Sequence, residues 1–132
     1  MDNLLYKELT NRILNCYYTV YNTLGYGFLE KVYENSMLIE LQNQTLYAER
    51  QKAIKVYYLE KLVGEYYADI IVEDSIIIEL KAAEYLVEEH EIQLINYLKA
   101  TDKEIGLLLN FGKRPEFRRK IFTNDNKKIE HG

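Results

Sequence analysis

Tyr66-Tyr67-Ala68-Asp69-Ile70-Ile71-Val72-Glu73-Asp74-Ser75-Ile76-Ile77-Ile78-Glu79-Leu80-Lys81 is the stretch on which the fold turns. It holds two apolar runs, residues 70–72 and 76–78, on either side of Glu73-Asp74. Short apolar runs bounded by turn residues predict strands covered on both faces. The acidic pair predicts the turn between them. The strands are expected over residues 62–72 and 75–81. Side chains alternate along a strand, so Glu79 and Lys81 leave one face while Leu80 points into the core. Asp69 lies near the end of the first strand, and a hairpin can bring it beside Glu79.

Upstream, residues 47–58 place Ile54, Val56 and Tyr58 at alternate positions and predict a further strand, with a turn at Glu60-Lys61. Before it, Leu5, Leu9, Ile13 and Tyr17 recur every four positions and predict a helix over 4–22. Gly25 and Gly27 interrupt that pattern. A second helix is expected from near Phe28 to about Leu41, with Leu29, Val32, Leu38 and Leu41 as its apolar stripe. Downstream, residues 88–101 read as a helix with Ile92, Ile95 and Leu98 on its apolar side. Residues 105–111 read as a buried strand, and Pro115 follows in a basic segment. The expected fold is α/β, a mixed sheet flanked by helices: two N-terminal helices, a three-strand meander, a crossover helix and a further strand. The connection between residues 81 and 105 is long enough for a parallel crossover. One domain over 1–122 and a polar tail over 123–132 are expected.

Charged residues closing an apolar strand call for a reason. Two neighbouring carboxylates repel and are costly to desolvate. A hard cation removes the conflict, and Mg²⁺ commonly bridges carboxylates to phosphate. Lys81 could steady an attacking water or bind the phosphate. The plain alternative is a salt-bridged strand end in which Lys81 pairs with Glu79. Glu30 and Tyr33, three apart, are expected on one helical face. Glu30 could add an acidic ligand, or be an exposed first-turn glutamate favoured by the helix dipole. His90, Gln93 and Tyr97 also share a helical face that could line a cleft, or form an ordinary helix surface with a tyrosine at its rim.

Composition narrows the class. The 132 residues are 48% hydrophobic and 29% charged, which suits a globular domain. The single cysteine, Cys16, excludes a disulfide framework or a cysteine-rich metal site within the chain. Asp2, Lys7, Glu8, Arg12 and Asn15 break any secretory signal, and no apolar run reaches a membrane span. A cytoplasmic location is expected. The net charge is −4, divided as −8 over residues 1–112 and +4 over 113–132. The basic end could guide a polyanion, or be a solvated tail.

GFLEKVY (27–33), YYADIIVED (66–74), IIIELKA (76–82), HEIQLINYLKAT (90–101) and IGLLLNFG (105–112) together resemble the GxxExxY proteins, a small bacterial and archaeal branch of the PD-(D/E)XK nuclease-like superfamily. The resemblance runs from about residue 5 to 122. It implies a restriction-endonuclease-like core and a metal-dependent nuclease acting on nucleic acid, DNA before RNA. It implies Asp69, Glu79 and Lys81 as catalytic residues, with Mg²⁺ or Mn²⁺ held by Asp69, Glu79, Glu30 and the Leu80 carbonyl. It also implies that Gln93 and Tyr97, with His90 and Tyr33, position the nucleic acid. Ala68 stands where the branch often has proline before its aspartate. A homodimer, two sites on one duplex, is compatible with a domain of this size. Two rival readings are a catalytically idle nucleic-acid- or partner-binding module on the same fold, and an interaction protein built on its 13 tyrosines.

Overall fold

A computed structural model describes residues 3–129, with side chains from Tyr6 onward. The side chain of Leu5 in the expected stripe, and residues 130–132 of the expected tail, lie outside what is described. The elements are α1 (Asn3–Leu24), α2 (Glu30–Asn43), β1 (Ala48–Tyr58), β2 (Lys61–Val72), β3 (Ile76–Lys81), α3 (Glu88–Lys99), β4 (Ile105–Phe111) and β5 (Pro115–Ile121), followed by a 3₁₀ turn at Asn124–Asn126. The strands form one sheet in chain order. β3 and β4 are parallel, joined by the α3 crossover. The remaining neighbours are antiparallel. This is the mixed, helix-flanked sheet that the sequence predicts, with one strand more.

The sheet lies between two apolar layers. On one face Ile70, Ile78, Leu80, Leu107 and Leu109 meet Ile13, Tyr17, Tyr33 and Met37 of α1 and α2. On the other, Ile71, Ile77 and Leu108 meet Leu94 and Leu98 of α3. Strands covered on both faces have no solvent side, which is why β3 and β4 read as unbroken apolar runs. The turn at Glu73-Asp74 has positive φ at both residues (52° and 51°), as a tight hairpin between right-twisted strands needs. The β1–β2 turn falls at Leu59-Glu60 (φ 49° and 65°), one residue before the predicted Glu60-Lys61.

Three expectations about faces and ends need correcting. α2 buries Tyr33, Met37 and Leu41, while Leu29 and Val32 are exposed. The stripe is rotated because the Tyr33 ring stacks on Phe111, with centroids 4.1 Å apart. α3 buries Leu94, Tyr97 and Leu98, and Ile92 faces solvent. Tyr97 is therefore a core residue and not a rim residue. Finally, residues 115–121 form β5, paired with β4 from Phe111↔Pro115 to Ile105↔Ile121. Pro115 opens the strand, where a missing N–H costs least. Its charges are partly matched, Arg118 to Glu116 at 2.8 Å and Lys120 to Glu91. Beyond it, Lys127 Nζ donates to the carbonyls of Thr101 (2.7 Å) and Lys103 (2.6 Å) just past α3.

Candidate active site

β2 and β3 share only three register pairs, Ile70↔Ile78 to Val72↔Ile76. Past them β2 runs on with β1 and β3 with β4, so the sheet forks. Backbone amides at a fork lose their ladder partners and need others. Side chains supply them here. Asp69 N–H donates to Glu79 Oε2 at 2.8 Å, and Leu80 N–H donates to Asp69 Oδ2 at 2.8 Å. Each carboxylate satisfies an amide of the opposite strand, which holds the two carboxyl groups side by side.

Their electrostatics are unfavourable without a cation. Glu79 is only 5% exposed. Burial, then the Asp69 charge, pushes its carboxyl up to about 8. Asp69 is also raised, by burial first and then by Glu34 and Glu30, against the opposing effects of the Leu80 amide and Lys81. Lys81 is half-buried, and its charge favours ionisation of both carboxyls. Among the described residues it makes no ion pair, so the salt-bridged strand end is not what forms.

A polar cavity of about 270 Å³ adjoins the fork, lined by Glu30, Lys31, Glu34, Gln51, Asp69 and Leu80. Glu34, 4% exposed, accepts from Lys31 Nζ (3.0 Å), Arg50 (2.9 Å) and Gln51 Nε2 (2.7 Å). Gln51 lies across from Asp69, between the pairs Arg50↔Ile70 and Lys52↔Ala68, with φ at 49°. That left-handed backbone interrupts the ladder at the fork and turns Gln51 toward Glu34. On the α3 side, Gln93 Nε2 donates to Tyr97 Oη at 2.9 Å. Burial, then the charges of Glu79 and Asp69, raise the Tyr97 phenol to about 12.

A family model described as the PD-(D/E)XK nuclease superfamily matches residues 7–120, most of the chain. The chain belongs to the PD-(D/E)XK nuclease superfamily. No curated protein sequence matches it. Among solved structures it is similar to the crystal structure of SSO0001, with a TM-score of 0.59 and 19% identity over 71% of this chain and 50% of that one. At that identity the likeness is one of fold, and this chain spans half the length of the other. The order of elements fits the restriction-endonuclease-like fold.

Superfamily members generally use divalent metals, and the donor set at the fork fits one. Both candidate ligands are carboxylates whose charged forms are disfavoured by burial and by the charge of neighbouring carboxylates. Mg²⁺ suits such a pair, because it keeps several waters and takes one or two carboxylates together with phosphate. Among the described residues, no three His, Cys, Asp or Glu side chains converge closely enough to hold an ion by themselves. Glu30 accordingly lines the cavity and acts on both carboxylates through its field, without completing a cluster.

The remaining predicted residues divide. Gln93 and Tyr97 lie together near the fork. His90 instead caps its own helix, its Nδ1 accepting from Val87 N–H at 3.3 Å. Tyr33 is fully buried and out of reach of nucleic acid. Its hydroxyl donates to Gly25 O (2.7 Å) and accepts from Phe28 N–H (3.2 Å), which shapes the loop before Glu30. Glu30 and Tyr33 therefore part company, and Glu34 is the residue that joins Glu30 at the cavity. The available signal for Glu34 was a carboxylate one turn beyond Glu30. Nothing local pointed to Gln51 or Arg50.

Proposed function

We propose that this chain is a divalent-metal-dependent nuclease that hydrolyses phosphodiester bonds in nucleic acid, DNA before RNA. The Gly27–Tyr33 motif supports a place in the GxxExxY branch. One observation carries the reading: a buried carboxylate, Glu79, and a half-buried one, Asp69, are held together by reciprocal bonds to backbone amides at the fork of a sheet. That is a poor arrangement for stability and a good one for a hard cation.

Asp69 and Glu79 would hold the ion, joined by the Leu80 carbonyl. When bound, it lowers the pKa of water and offsets charge on the phosphate. Lys81, on the Glu79 face of β3, would orient the attacking water or neutralise the phosphate. The Glu34 carboxylate holds Lys31 and Arg50 at the cavity, where their exposed ends can meet the nucleic-acid backbone. Gln93 and Tyr97 would place the strand from the other side.

The test is a cleavage panel of single- and double-stranded DNA and RNA, with Mg²⁺, Mn²⁺ or chelator. Wild type is expected to cleave only with metal. Asp69→Ala and Glu79→Ala are expected to lose cleavage while keeping native circular dichroism. Retained cleavage by both variants would remove the mechanism.

A further inference from the structure

A second cavity, about 630 Å³, lies between the β1–β2 hairpin and α3. Val56, Val63 and Tyr66 line it from the hairpin, and Ile92, Gln93 and Tyr97 from the helix. Its lining is mostly apolar and includes two carboxamides, Gln93 and Asn96. Glu89 is its one charged lining residue, so it is not built for a phosphate. The Tyr66 ring is half exposed. It lies tilted at 45° to Tyr97, with centroids 5.6 Å apart. Tyr97 lines this cavity and also lies close enough to Glu79 and Asp69 to feel their charges, so the cavity and the carboxylate pair share that neighbour. Tyr66 precedes Asp69 by three residues, about 10 Å along the strand.

A half-exposed flat ring among apolar side chains, with two carboxamides in the same lining, suits a planar heterocycle with polar edges. A base within a duplex has both faces covered and cannot enter a side cavity. An unpaired base can, and stacks readily on aromatic side chains. We propose that this cavity is a base-binding subsite: one unpaired base of a single-stranded nucleic acid stacks on Tyr66 while a neighbouring phosphate lies at Asp69 and Glu79. This inference rests on the nuclease reading and deepens it, naming a single strand or an unpaired end as the substrate class.

The test compares wild type, Tyr66→Phe and Tyr66→Leu in Ca²⁺. The probes are a single-stranded DNA oligonucleotide carrying 2-aminopurine and a duplex of equal length. Anisotropy reads affinity and 2-aminopurine quenching reads stacking. Tyr66→Phe is expected to bind and quench like wild type. Tyr66→Leu, apolar but not planar, is expected to bind the single strand about 10-fold more weakly, to lose the quench, and to leave duplex affinity unchanged. Equal single-strand binding and quenching by Tyr66→Leu would overturn the subsite and mark the cavity as a plain apolar surface, suited to a protein side chain. Equal losses on single strand and duplex would overturn it too. A wild type that binds neither probe would bring down the nuclease reading itself, a result distinct from both.

Discussion

Glu79 concentrates the conflict between stability and chemistry. Its carboxyl is raised from 4.5 to about 8, so the folded chain retains a proton that the unfolded chain releases between those values. Its stabilising share is therefore intact at low pH and falls as pH rises through that window. Glu79→Gln keeps an acceptor for the Asp69 amide and removes the charge. The metal-free variant is expected to melt about 2–5 °C above wild type at pH 8.5 and close to it at pH 5. It should also lose the rise in Tm that Mg²⁺ produces in wild type. Thermal melts in chelator and in Mg²⁺ check both. Lys81 carries no ion pair among the described residues, so Lys81→Met is expected to leave Tm nearly unchanged while lowering kcat about 100-fold or more. A mere strand-end lysine would leave kcat alone.

At the scale of elements, α1 is fastened to the β4–β5 hairpin by two hydroxyls, of which Tyr21 Oη donates to the Gly112 carbonyl at 2.7 Å. Tyr17 Oη donates to the Asn110 carbonyl and accepts from Glu116 N–H at 3.0 Å, within a cluster that includes Phe111. Tyr17→Phe leaves a part-buried amide and carbonyl unpaired and is expected to cost about 1–3 kcal/mol, read from urea denaturation. α3 crosses β4 at Gly106, where an added Cβ would stand 2.6 Å from a Leu94 methyl. Gly106→Ala is expected to destabilise by about 1–3 kcal/mol, with Leu94→Ala in the same chain recovering part of the loss. The elements themselves were largely legible. Strand alternation and apolar runs are properties of a few consecutive residues, so β1 to β4 and the three helices followed from them. β5 did not, because an edge strand covered on one side alternates charge with partial burial, and Pro-Glu-Phe-Arg-Arg-Lys-Ile lacks an apolar run.

The whole molecule is acidic, with a net charge of −4. Its basic end is partly committed to internal pairs with Glu116 and Glu91. At this net charge the overall field repels a polyanion, so binding to nucleic acid gains from a cation at the carboxylate pair. Affinity for an oligonucleotide is therefore expected to fall at least 10-fold when chelator replaces Ca²⁺, measured by anisotropy at one ionic strength. Equal affinity in both would show that the carboxylate pair plays no part in binding.

The order of elements, the covered sheet and the pairing of Asp69 with Glu79 across a short turn were determined by the sequence itself, because alternation and turn chemistry act over neighbouring residues. Which face each helix buries, the break in the ladder at Gln51, the burial of Glu34 beneath Lys31 and Arg50, and the seclusion of Tyr33 were decided only in the tertiary structure. Those features depend on partners up to about a hundred positions away in the chain. A helix presents several usable faces, and a carboxylate can be buried wherever distant cations and amides are brought to meet it.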